Sequence, residues 1–362
     1  MADRRSERAA ALRALLAEKQ LDALMVSSLP NIRYLTGFSG SAALLLVTLD
    51  DAVLLTDSRY TVQARDEAGD VARVLIESQG LWGPCFTLLE ARGTGRAGYE
   101  GDHLTARDAG RFTGRDPRWT FESTADLVES LRVVKSPEEV EAIRTAGAVA
   151  TGALAVAARD IRTGQSELEI AALLEGALRR HGSEWFAFPT IVASGPRSAL
   201  PHARTSDRVV ARGDLLLLDF GAIVDGYCSD ITRTFVVGAP PTPDQSAVHG
   251  LVQRAQRAAL DGLKAGLTGR EGDAFARDVI EAGGHGEAFG HSLGHGLGLE
   301  VHEAPRLAKT VERALQEGAV VTVEPGVYLE GWGGVRIEDD VVLRSGGADL
   351  LTEFERGLIR LG

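Results

Sequence analysis

Near the amino terminus, apolar residues recur at Ala9, Leu12, Leu15 and Leu16, with charged residues between them. That spacing is the period of a helix with one buried face. The pattern then changes. Residues 22–26 form a short apolar run, and 41–47 and Ala52–Thr56 read as strands joined by a turn at Asp50-Asp51. Residues 58–68 read as a helix and 71–76 as a further strand. Strands alternating with helices predict an α/β domain. Residues 93–118, rich in Gly, Arg and Asp, carry no clear period.

The pattern restarts near Val134. Ser136-Pro137-Glu138-Glu139 places a hydroxyl at a helix N-cap, proline at the first helical position and a glutamate that reaches back to the cap. Thr242-Pro243-Asp244-Gln245 repeats the arrangement. The expected domains are therefore 1–134 and 135–362. The second carries an internal echo. Thr163-Gly164 precedes a helical stretch ending at His181-Gly182, and Thr268-Gly269 precedes one ending at His285-Gly286. Two related halves packed face to face would give this pattern, as would coincidence between Ala-rich helices.

The chain has 362 residues, 44% apolar and 25% charged, which is ordinary for a folded protein. Its net charge of −12 disfavours nucleic acid and anionic lipid as partners. Arg13 and Glu18 interrupt the first helical stretch, so it does not read as a signal peptide. No run approaches 18 uncharged apolar residues, and no membrane span is expected. Two cysteines, Cys85 and Cys228, are too few for a disulfide framework, which points to a reducing, cytoplasmic setting. Cys228 reads as a packed strand residue rather than a nucleophile.

Asp214-Leu-Leu-Leu-Leu-Asp219 is a buried strand ending in an acid. Asp225-Gly226 signals a turn, and the chain from Tyr227 to Val236 reads as the returning strand. With a loop of Val224-Asp225, Asp219 faces Asp230; with Asp225-Gly226, Asp230 faces Gly221. Either register puts both carboxylates on one face. Their repulsion must be offset by protonation, by a basic side chain or by a metal ion. His291, His295 and His302 fall within twelve residues among glycines, although the chain has only eight histidines. That clustering favours a metal or proton-transfer site. Glu324 ends the β-branched run Val320–Val323, and Arg336 and Glu338 are spaced to share a strand face. Four carboxylates and one imidazole suit two divalent cations, and the formal charges balance. Oxygen-rich donors without thiolate favour Mn²⁺, Co²⁺ or Zn²⁺. Paired metals can activate a shared water.

The order Asp219, Asp230, His295, Glu324, Glu338 resembles the pita-bread metallopeptidase family, which includes prolidase, aminopeptidase P and methionine aminopeptidase. The likeness continues in Ser194-Gly-Pro-Arg-Ser-Ala-Leu-Pro-His202, His291, Val301-His302-Glu303-Ala-Pro-Arg306 and Gly334-Val-Arg336-Ile-Glu338-Asp339. Asn31-Ile-Arg-Tyr-Leu-Thr-Gly37-Phe-Ser-Gly40 is similar to the creatinase-like domain of the proline-specific branch. Ala203 departs from a frequent glycine, and Arg197 from a common asparagine; neither removes a ligand.

The resemblance implies an amino-terminal creatinase-like α/β domain followed by an α+β pita-bread catalytic domain. It implies hydrolysis of the Xaa-Pro bond at the amino end of dipeptides or short peptides. Two divalent metals per subunit and a homodimer are also implied. Asp219 would hold one metal, His295 and Glu324 the other, and Asp230 and Glu338 both. Glu324 would move the proton, His302 stabilise the oxyanion, His291 orient the substrate and His202 close the site. Arg336 would position Glu338, and Thr232 would position Asp230. Val301 is the candidate wall for the proline ring and Arg306 the candidate partner of a terminal carboxylate. Xaa-Pro dipeptidase is the first reading and Xaa-Pro aminopeptidase the alternative. A non-enzymatic peptide-binding module and a metal-free creatinase-type hydrolase are the rivals from other classes.

Overall fold

In the computed structural model, residues 4–112 and 117–362 are described; 113–116, inside the unplaced 93–118 stretch, lie outside that set. The chain forms two compact units, Met1–Arg132 and Val133–Gly362.

The first unit is built on a six-stranded mixed sheet. Its order is Arg73–Ile76, Ala52–Thr56, Ala43–Thr48, Ala23–Val26, Gly95–Glu100 and Trp119–Thr124. The Arg5–Glu18 helix buries Leu12 and Leu16, the two positions one turn apart on its apolar stripe. The 58–68 segment starts as a 3₁₀ turn capped by Asp57 and becomes an α-helix at Thr61. The 93–118 stretch holds the strand Gly95–Glu100, which glycines and an arginine had hidden from a hydrophobic pattern.

The second unit contains two helix pairs. Pro137–Ala157 packs on Glu167–Arg180, and Pro243–Gly262 packs on Gly269–Ala282. All four helices begin with a capping box, at Ser136, Ser166, Thr242 and Thr268. In each, the cap side chain accepts the N3 amide and the N3 Glu or Gln reaches back, so two orphan donors are satisfied together. Pro137–Ala157 is, among the described residues, the one helix long and apolar enough to cross a membrane by length and composition. Its apolar positions Val140, Ile143, Ala146, Ala150, Ala153 and Leu154 are buried in the unit's core.

Each helix pair leads into its own sheet. The first pair leads to Ile191–Ser194, Leu215–Phe220 and Ile231–Val237, a sheet whose far edge, beside Ile231–Val237, is completed by Arg360–Leu361 from the end of the chain. The second leads to Glu303–Leu307, Gly294–Gly296, Val320–Val323, Asp339–Arg344 and Gly347–Leu350. This succession of two helices followed by strands is the arrangement the echo implied.

Candidate metal centre

The Leu215–Phe220 strand is buried along its whole length, which carries Asp219 into the interior. Asp225 and Gly226 both have positive φ, 51° and 78°, as a type I′ turn requires. The hairpin pairs Tyr227 with Val224, and further along Thr232 with Asp219. Of the two registers, the Asp225-Gly226 loop is therefore the one that forms. The returning strand breaks at Ser229-Asp230, where the Asp230 N–H donates to Asp340 Oδ2 at 2.9 Å.

His295 lies on the three-residue strand Gly294–Gly296. A Cβ on Gly294 would sit 2.0 Å from Thr322 O, so only glycine permits this approach between strands. His295 Nδ1 lies 3.1 Å from Gly296 O, and a carbonyl only accepts. Nδ1 therefore carries the proton, and Nε2 offers its lone pair toward Glu324 Oε1 at 3.3 Å and Asp230 Oδ2 at 3.8 Å. Burial, with His302 nearby, lowers the His295 pKa to about 4, so the ring is neutral, as a ligand must be.

Glu338 does not share a strand with Arg336. The Gly333–Arg336 strand ends in its own hairpin with Gly326–Leu329, and a new strand starts at Asp339. In the gap, the Glu338 N–H donates to Thr232 O at 3.1 Å. The supporting contacts also differ from those expected. Thr232 Oγ1 donates to Glu338 Oε2 at 2.6 Å, not to Asp230. Arg336 pairs with Asp219 Oδ2 rather than Glu338, and also donates to Thr232 Oγ1 at 3.0 Å and Tyr328 Oη at 2.7 Å. The register explains the exchange: Thr232 stands directly across from Asp219, and the break at 337–338 turns Glu338 back over Thr232.

One donor atom each from Asp230, His295 and Glu338 lies within 4.8 Å of the other two. Glu324 adjoins them through His295. Asp219 is half engaged by Arg336, but its Oδ1 is buried and, among the described residues, accepts no hydrogen bond; the same holds for Asp230 Oδ1. Burial and neighbouring carboxylates raise Asp230 and Glu338 well above the usual carboxylate range. Burial pushes Glu324 up to about 8, against the pull of Arg336 and with the charge of Asp219. Unmet buried acceptors crowded beyond what one guanidinium can neutralise fit divalent cations held by oxygen and one imidazole.

These groups line one cavity of about 730 Å³. His202, His291, Val301, His302, Arg306 and Arg336 line it too. Thr232 stands behind the lining, against Glu338 and Arg336. His291 is held at both nitrogens, by Ser292 O at 2.8 Å and Tyr328 Oη at 2.9 Å. Burial, with Arg336 nearby, lowers its pKa to about 4. Sequence reasoning missed the wall formed by Phe188, Pro189 and Ile191, and the anchoring Tyr328. The aromatic–proline run Phe186-Ala-Phe-Pro189 was the available signal for that wall. Cys228 is buried, in keeping with a packed strand residue.

Residues 8–134 match the creatinase/prolidase amino-terminal domain, and residues 141–345 match metallopeptidase family M24. The chain is 37% identical over 354 residues to an Xaa-Pro dipeptidase of Pyrococcus furiosus, covering 98% of this chain and 99% of the relative. An Xaa-Pro dipeptidase structure from Bacillus anthracis superposes with a TM-score of 0.94 at 40% identity, covering 99% of this chain and 100% of the other. An X-Pro aminopeptidase structure from Thermotoga maritima gives 0.90, also at 40% identity, covering 98% and 99%. With the family matched across more than half its length, beneath a cavity floored by buried acids and a neutral imidazole, this chain belongs to metallopeptidase family M24.

Proposed function

We propose that the chain hydrolyses the Xaa-Pro bond at the amino end of dipeptides and short peptides, using two divalent cations. The convergence of Asp230, His295 and Glu338 donors within 4.8 Å, beside unmet oxygens of Asp219 and Asp230, carries the reading. Full-length likeness to Xaa-Pro dipeptidases supports the substrate class. Asp219, Asp230, His295, Glu324 and Glu338 would hold the cations. The donor set, free of thiolate, supports Mn²⁺, Co²⁺ or Zn²⁺. When bound, the cations supply Lewis acidity and an acidified water.

The protein's own groups do the rest. Glu324, on the cavity floor beside His295, takes a proton from the attacking water and passes it to the proline nitrogen. His302, facing the cavity, donates N–H to the carbonyl oxygen as charge develops there, and His202 encloses it from another segment. His291, fixed by Tyr328, presents its ring edge to the substrate. The Xaa-Pro bond is a tertiary amide without N–H, so recognition falls to shape. Val301, Phe188 and Ile191 supply an apolar wall, and Arg306 faces a terminal carboxylate.

Dialysis against chelator is expected to abolish Ala-Pro cleavage, and Mn²⁺, Co²⁺ or Zn²⁺ to restore it. Full activity after verified metal removal would refute the proposal. Asp230→Ala is expected to fold and to lose more than about 100-fold in activity, since losing a ligand costs more than losing a ligand's partner. The aminopeptidase alternative rests on the likeness to the Thermotoga maritima X-Pro aminopeptidase and on a cavity of about 730 Å³, which has room beyond a dipeptide. Comparing Ala-Pro with Ala-Pro-Ala separates the two. Family likeness supports a homodimer, testable by sedimentation. The two free, buried cysteines support a cytoplasmic setting, testable by fractionation.

A further inference from the structure

The segment after the Ile191–Ser194 strand forms one wall of the cavity, through Pro201, His202, Ala203, Arg204 and Thr205. Its two feet rest on a single carboxylate. Glu167, fully buried at the first turn of its helix, accepts from Ser194 N at 2.9 Å and Ser194 Oγ at 2.8 Å. It also accepts from Ser206 N at 3.1 Å and Ser206 Oγ at 2.7 Å. Arg197 completes the arrangement. Its Nε donates to both Glu167 oxygens, at 3.3 and 3.2 Å, and its Nη2 crosses the loop to Arg204 O.

The other ties lie elsewhere along the loop. Ser198 Oγ donates to Gly195 O at 2.6 Å and accepts Gly334 N–H at 2.8 Å. Pro201 O accepts from Arg336 at 3.2 Å, and Thr205 Oγ1 joins Thr190 O and Val192 N. Among the described residues, the hydrogen bonds over His202, Ala203 and Arg204 are the local Ala203 N–H to Leu200 O bond and the Arg197 strut. One guanidinium therefore couples the buried Glu167 to the stretch of wall that holds His202.

We propose that Arg197, seated on Glu167, is a positioning residue that fixes the His202–Arg204 wall against the substrate and so sets substrate affinity. The planar fork is essential: one edge grips the carboxylate while the far nitrogen reaches the carbonyl. A lysine keeps the first contact and cannot make the second. The inference rests on the peptidase reading for its kinetic consequence, but the clamp itself can be measured without substrate.

The test compares Arg197→Lys and Arg197→Met with the wild-type metal-loaded protein. Arg197→Lys is expected to melt like the wild type and to retain its metal. Its Ala-Pro KM is expected to rise about tenfold with kcat within about twofold, the scale of one lost charge-assisted hydrogen bond. Arg197→Met is expected to show the same kinetic split with a lower melting temperature, because it leaves Glu167 partly unpaired. Amide hydrogen exchange over 202–204 is expected to quicken in both variants without substrate. Unchanged exchange in Arg197→Lys would overturn the clamp, whatever the protein hydrolyses. Faster exchange with unchanged KM, or kcat and metal content falling together, would overturn its role in substrate affinity.

Discussion

Thr232→Val removes one hydroxyl from the interior and keeps the shape. The side chain is fully buried, and its Oγ1 donates to Glu338 at 2.6 Å while accepting Arg336 Nε at 3.0 Å. The first contact is a hydrogen bond to a carboxyl whose pKa burial and neighbouring carboxylates hold well above the usual range in the metal-free protein, so it is worth about 0.5–1.5 kcal/mol there. Losing the second leaves a buried guanidinium N–H without its acceptor, at a cost of about 1–3 kcal/mol. The folded state is therefore expected to lose roughly 1–4 kcal/mol, allowing for partial relaxation. Glu338 also loses the contact that fixes its carboxylate, and metal affinity is expected to fall about 10–100-fold. Urea unfolding of the chelator-treated protein reads the first effect, and competitive titration against a chromogenic chelator the second. Thr232→Ser keeps the hydroxyl and is expected to restore metal affinity to near wild type. Wild-type metal affinity in the valine variant would refute the idea that Thr232 holds Glu338 in place.

Two further outcomes follow from the geometry. His249 is buried, and burial beside Arg233 lowers its pKa from 6.5 to about 4. Because the unfolded chain takes up the proton first, stability is full above about 6.5 and falls as pH drops toward 4. The loss reaches on the order of 3 kcal/mol. His249→Gln is expected to flatten that part of the pH–stability curve; an unchanged slope would refute the assignment. Gly294→Ala drives a methyl into Thr322 O, 2.0 Å away, and is expected to cost about 1–3 kcal/mol and to weaken metal binding by displacing His295. Thermal melts with and without metal measure both effects.

The readings that held rest on local chemistry. Capping boxes declare helix starts through hydrogen bonds three residues apart, and the Asp225-Gly226 turn fixes a register through backbone sterics alone. Strands with continuous apolar runs, such as Leu215–Phe220, are equally plain. What failed depended on partners distant in sequence. Nothing near Arg336 announces that it turns to Asp219, 117 positions away, and nothing near Thr232 announces Glu338, 106 positions away. The strand break at 337–338 that separates Arg336 from Glu338 has no Gly or Pro to mark it. The Phe188–Ile191 wall was illegible for a different reason: an apolar loop looks the same whether it faces a core or a cavity.

The split of the donor groups has a consequence for the catalytic unit as a machine. Asp219 and Asp230 hang from the first helix-pair-and-sheet half, and His295, Glu324 and Glu338 from the second. Neither half alone owns a complete cage, so bound ions would act as rivets through the seam. Thr232–Glu338, Arg336–Asp219 and Asp230–Asp340 already join the halves without metal, so loading should tighten an existing joint, and stripping should loosen it first at the place where chemistry occurs.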